Sequence, residues 1–592
     1  MLDWPGMTNR EIAAVFEQIA ELLEFQAANP FRVRAYRNAA RMIGDLPMSL
    51  AELADEDPEL LTGLAGIGKD LAEKIQTLLA TGSLPLLTEL QASLPAGVLA
   101  LLRVPGLGPK KVAALHRELG INSLGELRAA CADQRVRNLK GFGAKTEATI
   151  LKGLALAEQA VVRIPWEAAD AIADELRRQL ESVPGMRRLE FAGSYRRGRE
   201  TVGDLDVLVD CADPGAAMDR LASFATDADV LARGDAKMSV RLGSGLQIDL
   251  RAAPPESYGA ALQYFTGSKD HNVVLRGRAR KAGLKVSEWG VFRLAEGGGP
   301  EGAEGEYVAG RTEEEVYAAL GLPWIPPELR EARQEFVQAD AGALPELIGL
   351  ADIRGDLHMH TTSTDGQSTL EEMVEAAAAR GLEYIAITDH SQRVTMARGL
   401  DPRRLRTQWQ EIERLRGRQS QVQVLKGIEC DILEAGGMDL PDDVLAEAEW
   451  VIASVHYGQK QSRAQITERI LGALENRYVH VLAHPTGRLI NRREPYDVDL
   501  QAVFEAAVRH GKMLELNAHP ARLDLDDVHC AAAKRLGIPL VISTDAHRAD
   551  GLDLMRHGVR QARRGGLTAA DVLNCLPWPE FQARLRVGRA RR

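Results

Sequence analysis

The sequence has no run of about 20 apolar residues, the length that a helix needs to cross a bilayer, so no transmembrane span is expected. It also lacks a basic start followed by an apolar stretch. MLDWPGMTNREIAAVF does not read as a secretory signal. Cysteine is scarce: Cys131, Cys211, Cys430, Cys530 and Cys575, none in CxxC spacing. Scattered in this way they read as reduced cytosolic thiols, not as disulfides or a thiolate metal site. Positive charge is not in excess either. A net charge of −11 argues weakly against a nucleic-acid partner, although whole-chain charge is a poor guide when sites are local.

Two basic clusters stand against that background. One is Arg187, Arg188, Arg196, Arg197 and Arg199; the other is Arg276, Arg278, Arg280, Lys281 and Lys285. Solvated surface is the usual fate of a charge run. Their position beside the motifs below favours phosphate contact. The basic tail ARLRVGRARR reads as a disordered end.

What is present is a chain of 592 residues, 45% hydrophobic and 27% charged, a soluble globular composition. Its length suggests three to five domains of about 100–200 residues. Residues 8–160 read as helices, with apolar positions at helical spacing in EIAAVFEQIAELLEF and LAEKIQTLLA. Residues 186–252 switch to a period of two in RRLEFAG, DLDVLVD, SVRL and LQIDL, with Gly243–Gly245 as a hairpin turn. Residues 295–305 read as a loose Gly- and Glu-rich loop, and PWIPPELRE through GALPEL reads as a separator. After residue 350, seven short apolar runs alternate with helical stretches: IRGDLH, YIAITDH, VQVLKGIE, WVIASVH, VHVLAHP, KMLELN and PLVISTDAH. That alternation predicts a parallel β/α barrel.

Three segments share a Gly-apolar-Gly turn between helices: LAGIGKDLAEKI, VPGLGPKKVAALH and LKGFGAKTEATI. In such a helix-hairpin-helix the glycines Gly66, Gly68, Gly106 and Gly108 permit a tight turn, and the free amides of the second helix can face a DNA backbone phosphate. These contacts read no sequence. The third turn, at 141–143, is the weakest of the three as a DNA contact.

GSYRRGRETVGDLDVLVD carries carboxylate chemistry. Asp204 and Asp206 alternate along a strand, so both leave one face, and Asp249 lies on a later strand that could run alongside. Three carboxylates on one face repel unless cations sit between them, which suits two magnesium ions sharing substrate phosphates. Gly193 and Ser194 form a turn that can cradle a triphosphate, with Arg197 to neutralise it. A lone DxD is more often a solvated strand end; the combination is far more specific.

Eleven of the thirteen histidines follow residue 350. His358, His390, His456, His484 and His547 each end a predicted strand, and His360 lies two beyond His358. Asp365, Glu429 and Asp545 join them. The rim at the strand ends is where β/α barrels gather active sites. Imidazoles and carboxylates suit zinc, manganese or iron, and nine candidate ligands are too many for one ion. Closely spaced ions clamp a phosphate ester. His480, His510, His519, His529 and His557 lack that context and read as structural.

DLHMHT, TDHS, GIEC, SVH, AHP and STDAH resemble the ordered motifs of the PHP (polymerase and histidinol phosphatase) phosphoesterases. The resemblance implies a distorted (β/α)7 barrel with up to three ions, Mn2+ or Zn2+. His358, His360, Glu429 and Asp545 would hold one ion. Glu429 would bridge to a second on His456 and His484, and Asp365, His390 and His547 would hold the third. The DxD segment is similar to the nucleotidyltransferase palm of family X DNA polymerases, vertebrate DNA polymerase beta among them. YFTGSKDHN resembles that family's nucleotide pocket, which implies nucleotide contacts for Gly203, Tyr264, Phe265, Gly267, Asn272 and Arg276. Lys269 stands where the vertebrate pattern has an acid. In the N-terminal helices AEKI aligns Lys74 with the lysine that forms a Schiff base with a 5′-deoxyribose phosphate, although Arg32 and Asn38 depart from the pattern.

The order of segments resembles that of bacterial family X polymerases with a C-terminal PHP domain. It implies a multidomain chain: α-helical helix-hairpin-helix N-terminal domains, an α+β nucleotidyltransferase palm and thumb, then the barrel. The expected boundaries are 1–95 (lyase-like), 96–160 (fingers), 161–260 (palm), 261–327 (thumb), 328–350 (linker) and 351–592 (PHP). Implied partners are gapped or nicked DNA and dNTPs, with Mg2+ at the palm acids, in a monomeric, cytoplasmic, nucleoid-associated protein. Implied activities are gap-filling synthesis in repair and a metal-dependent 3′-5′ exonuclease or phosphoesterase. A small-molecule phosphatase with a vestigial palm would instead turn over soluble phosphates without DNA. A non-enzymatic DNA scaffold would bind with strong salt dependence and no metal requirement.

Overall fold

A computed structural model describes residues 7–590 apart from 8, 27, 47–49, 51–52, 55–57, 65–66, 83, 93–97, 99–100, 103, 105–106, 140, 159–162, 225–228, 295–304 and 419–420. Gly66, Gly106 and the segment 295–304 lie outside the described residues. The chain forms two compact units. The first holds residues 1–164, 172–196 and 202–342; the second holds 165–171, 197–201 and 343–592.

The first unit begins with helices, as the periodicity predicts. Asn9–Phe25 and Pro30–Asp45 pack through Ile12, Phe16, Ile19, Tyr36 and Ile43, with Ile75 and Leu78 of helix Lys69–Thr81 closing the core. A second core gathers Val112 and Leu115 of helix Pro109–Leu119 with Leu127 and Ile150. Gly68 and Gly108 occupy the N-cap positions of Lys69–Thr81 and Pro109–Leu119, in extended conformation and with open space in front of them. The third turn is preceded by a 3-10 segment, Val136–Asn138, in place of an α-helix. There the buried Glu147 accepts from Arg137 N and Nε, both at 2.8 Å, so this turn is packed from within.

Strands β1 (Ile164–Pro165) and β3 (Thr201–Val202) make a short ladder. The sheet of the first unit contains β2 (Met186–Phe191), β4 (Asp204–Cys211), β5 (Asp229–Arg233), β6 (Lys237–Arg241) and β7 (Gln247–Ala252), in the order β2-β4-β7-β6-β5. β6 and β7 form the hairpin expected around Gly243–Gly245. Helices Tyr258–Thr266 and Lys269–Lys281 follow, then β8 (Leu284–Ser287), β9 (Gly290–Arg293) and β10 (Glu306–Ala309).

Phosphate contact was the expectation for the basic clusters, and several members are already spent on carboxylates. Arg187 and Arg188 both bind Asp210, which is 2% exposed. Arg196 forms a two-bond pair with Glu313, and Arg278 one with Asp340. A guanidinium matches a carboxylate fork, and sequence spacing did not reveal these distant partners. Arg330 is fully buried on Glu313, and Phe336 stacks on His271 at 4.6 Å.

The second unit holds a seven-stranded parallel sheet: β11 (Gly355–Asp356), β12 (Tyr384–Ile387), β13 (Gln423–Asp431), β14 (Trp450–Ser454), β15 (Val481–Leu482), β16 (Met513–Asn517) and β17 (Leu540–Ser543), in sequence order. All seven match the predicted runs. Beyond the last strand the sheet nearly closes on the first: Asp545 N donates to His358 O (3.0 Å) and His360 N to Ala546 O (2.8 Å). Ile385, Ile387, Val424 and Val451 pack in one cluster, while the alternate residues Tyr384, Ala386, Leu425, Trp450 and Ile452 form another. Phe581 sits in the latter, stacked on Tyr384 at 4.4 Å. The tail expected to be disordered is therefore helical through its described residues, in Trp578–Ala590, because Trp578, Phe581 and Leu585 fall on one helical face and anchor it.

Candidate active sites

β4 and β7 run parallel with Asp206 paired to Asp249 and Asp204 to Gln247. The two-residue repeat puts Asp204 and Asp206 on one face, and the register brings Asp249 to the same face. Ser239 Oγ and Gln247 Nε2 hold the Asp249 carboxylate from the neighbouring strand and from two residues away. Gly193 adopts φ +61°, and a Cβ there would collide with the Asp206 carboxylate, so glycine is required at this close approach. Ser194 Oγ is buried without a hydrogen-bond partner among the described residues. Gly203 is buried just before β4. Arg197 offers its carbonyl to Arg564 Nη1 at 2.8 Å.

Tyr264 and Phe265 meet edge-on at 5.2 Å, and Arg251 lies over the Phe265 ring at 4.3 Å. Asn272 Nδ2 donates to Tyr264 O (2.8 Å) and its Oδ1 accepts from Gln263 Nε2 (2.7 Å). Asn272 therefore fixes the backbone of the aromatic pair. Gly267 ends that helix at φ +68°, and Arg276 Nε returns to Asn272 O. Arg196 Nη1 donates to Thr266 Oγ1 (2.7 Å) as well as to Glu313, which ties the Gly193–Ser194 turn to this pocket. Away from these, Lys74 is bound to the Asp70 carboxylate one turn back on its own helix.

In the second unit all nine predicted ligands lie at the carboxyl ends of the strands or in the loops that follow them, and six of the other seven lie within 4.0 Å of Glu429 or Asp545. Glu429, 1% exposed, lies 3.5 Å from His358 Nε2, 3.7 Å from His360 Nε2, 3.4 Å from His456 Nε2 and 3.1 Å from His484 Nε2. Asp545 Oδ1 is 3.0 Å from His360 Nε2 and 3.6 Å from His358 Nε2. Asp365 Oδ2 faces His390 Nε2 at 3.5 Å and His547 Nε2 at 3.4 Å. Three sets have donor atoms within 4.8 Å of one another: His360, Asp365, His390 and His547; His358, His360 and Asp545; and His390, Glu429 and His456. His360 and His390 each join two sets. His484 and Asp545 hold left-handed backbone, φ +27° and +54°, the kind of strain that concentrates at functional sites.

The donor set fits metal ions. His360 Nδ1 and His484 Nδ1 are buried without hydrogen-bond partners among the described residues, and the buried Glu429 Oε2 lies 2.6 Å from His390 Nδ1. Burial, with His390 and His547 nearby, pushes His360 down to about 4 and keeps it a neutral ligand. Burial would raise Glu429, but His390, His456 and His358 hold it well below its ordinary value. Cys430, next in sequence, is pushed up to about 12 by burial and stays a thiol, as the cysteine pattern implied.

Sequence reasoning missed the partners behind the ligands. Glu515 Oε1 holds His358 Nδ1 at 2.7 Å, Asp431 Oδ1 holds His456 Nδ1 at 3.1 Å, and Asn517 Nδ2 reaches Asp545 Oδ2 at 3.2 Å. Such contacts fix ring orientation and basicity. Glu515 and Asn517, like Glu429 and Asp431, alternate on apolar strands, a pattern that marks polar positions without naming their partners. His480 and His529 are structural, accepting from Val451 N and pairing with Asp526.

Family models agree with this layout. The DNA polymerase beta palm matches residues 163–234 and the DNA polymerase beta thumb 261–331. A helix-hairpin-helix domain matches 7–84, a SAM-like helix-hairpin-helix tandem 98–156 and the PHP domain 356–519. The DNA polymerase/3′-5′ exonuclease PolX of Bacillus subtilis (strain 168) is 40% identical over 582 residues, covering 98% of this chain and 100% of the relative. The chain belongs to the PolX family. Proteins named probable phosphatase in Thermoanaerobacter sp. (strain X514) and Edwardsiella ictaluri (strain 93-146) are 28% and 32% identical over 232 residues each. They cover 37% and 38% of this chain and 89% and 90% of their own length. Asp249, Asp545 and His547 lie beyond the matched palm and PHP residues, and strand register and near-closure bring them to their clusters. No helix of the described residues is long and apolar enough to cross a membrane.

Proposed function

We propose that this PolX-family chain is a DNA repair polymerase that adds dNTPs at gaps, and that its barrel is a metal-dependent 3′-5′ exonuclease. The observation that carries this reading is the register that sets Asp206 beside Asp249 on the face that also bears Asp204. The fit to Mg2+ rests on three hard carboxylates sharing one face. Divalent ions there would make a primer hydroxyl a better nucleophile and neutralise the leaving pyrophosphate. Asp249, oriented by Ser239 and Gln247, positions the attacking 3′-hydroxyl. Ser194 Oγ, without a hydrogen-bond partner among the described residues, donates to the triphosphate with the Gly193 turn and Arg197. Tyr264 and Phe265 line the sugar, Asn272 and Gly267 hold their backbone in place, and Gly203 and Arg276 border the nucleotide.

In the barrel, His358, His360, Asp365, His390, Glu429, His456, His484, Asp545 and His547 would hold up to three ions, Mn2+ or Zn2+. Gly66, Gly68, Gly106 and Gly108 would present hairpin amides to backbone phosphates on gapped or nicked DNA. Lys74 is the candidate nucleophile for a deoxyribose-phosphate lyase and would first have to leave Asp70. The domains would be 1–95, 96–160, 161–260, 261–327, the linker 328–350 and 351–592. The protein acts as a monomer in the bacterial cytoplasm, on nucleoid DNA.

The test is a one-nucleotide-gapped duplex, incubated with and without dNTPs in Mg2+ or Mn2+. Asp204→Ala should abolish extension and spare 3′-end removal; His358→Ala should do the reverse. Equal loss of both activities in either folded variant would sink the two-site reading.

A further inference from the structure

Two loops at the rim of the barrel carry arginines that the nine ligands do not use. One follows β15 and the other follows β16. Ile490 N donates to Ala521 O (2.7 Å), and Arg488 Nε to Arg522 O (2.9 Å), which joins the loops. Asn491 and Leu523 both hold left-handed backbone, φ +60° and +42°. Such conformations are costly and persist where the surroundings over-determine them. Leu523 is the residue next to Arg522.

The side chain of Arg522 is 19% exposed, and its Nε lies 3.6 Å from Asp545 Oδ2. The other oxygen of that carboxylate faces His360. One carboxylate therefore separates this guanidinium from the imidazole cluster. Among the described residues the guanidinium of Arg522 donates no hydrogen bond. Its neighbour Arg488, at similar depth, spends its donors on Arg522 O, Leu523 O and Glu200. A planar fork of five donors, half-buried and making no hydrogen bond among the described residues, is available to a ligand oxygen. Arg493, on the other loop, gives Nε and one terminal nitrogen to Gly487 O. Burial and the positive charge of Arg522 both depress its pKa, while Asp524 acts in the opposite direction as a nearby counter-charge.

We propose that Arg522, with Arg493 opposite, forms an anion subsite that grips a non-bridging oxygen of the DNA phosphodiester to be cut. The inference rests on the exonuclease reading of the barrel and adds the residue that holds its substrate. Guanidinium forks suit phosphate by geometry as well as charge.

The test uses the full-length, Mn2+-loaded chain and the variants Arg522→Ala and Arg522→Lys. Three quantities are measured: affinity for inorganic phosphate by calorimetry, KM and kcat for 3′-end removal from a single-stranded oligonucleotide, and bound metal by mass spectrometry. Arg522→Ala should weaken phosphate binding and raise KM, each roughly ten- to a hundredfold, the worth of a lost hydrogen bond to a charged group. Bound metal should stay unchanged, and Arg522→Lys should recover part of the affinity. Unchanged phosphate affinity and KM would overturn the subsite. So would metal lost in parallel with activity, since Arg522 would then merely hold Asp545. A wild-type chain that binds phosphate but removes no 3′ ends would instead overturn the exonuclease reading and leave the subsite standing.

Discussion

Glu313 is 4% exposed and accepts from Arg196, from Arg330 and from Trp324 Nε1. Burial alone would raise its carboxyl; Arg330 and Arg196 overcome that and hold it well below the ordinary range. Its sequence setting, TEEEV, reads as the solvated acidic start of a helix, so nothing local marks it out from Glu314. The partners lie 17 and 117 residues away, which is why this cluster was not legible before the fold was known. Glu313→Gln keeps the shape and leaves one buried guanidinium, Arg330, and one half-buried one, Arg196, short of their counter-charge. A cost of about 3 kcal/mol or more in urea unfolding is expected. A carboxyl with a depressed folded pKa stabilises above its unfolded pKa, about 4.3. That stability drains away as pH falls below this value toward the folded pKa. The wild type should therefore lose stability steeply there and Glu313→Gln much less. Parallel pH profiles for the two proteins would refute the assignment.

Elements were legible where their signal is local. Period-two alternation located β2, β4, β6 and β7, and seven apolar runs located the seven barrel strands with histidines at their ends. Ligands such as His358 and His390 could be read because strand ends converge in any parallel barrel. Glu515 and Asp431 stayed hidden because an acid inside an apolar strand has no fixed meaning until the opposing imidazole is known. The C-terminal helix was misread for a related reason. Its arginines dominate the composition, while the three apolar residues that dock it are sparse. Phe581 is fully buried among Tyr384, Trp450 and Trp578, with ring centroids at 4.4, 5.9 and 6.1 Å. Phe581→Ala should destabilise the barrel by about 3–5 kcal/mol, the cost of a large core cavity. A loss below about 1 kcal/mol by denaturant unfolding would mean that this helix is ornamental to the core.

At the scale of the whole molecule, each unit has its own hydrophobic cores and its own cluster of ligand-capable side chains. The clusters differ in chemistry. The palm face offers three carboxylates, hard donors that hold Mg2+ weakly until a nucleotide supplies phosphate oxygens. The barrel offers six imidazoles with three carboxylates, enough protein donors to retain transition-metal ions without substrate. Units with separate cores unfold as separate cooperative transitions. Removing metal with a chelator should therefore lower one transition in calorimetry, that of the barrel. Restoring Mn2+ at about a hundred times its dissociation constant should return about 2.7 kcal/mol to it. The transition of the first unit should hold still under both treatments and move only when Mg2+ and a dNTP are added together. Movement of both transitions with Mn2+ alone would place the tight ions elsewhere than the imidazole cluster and would unseat the division of labour between the two sites.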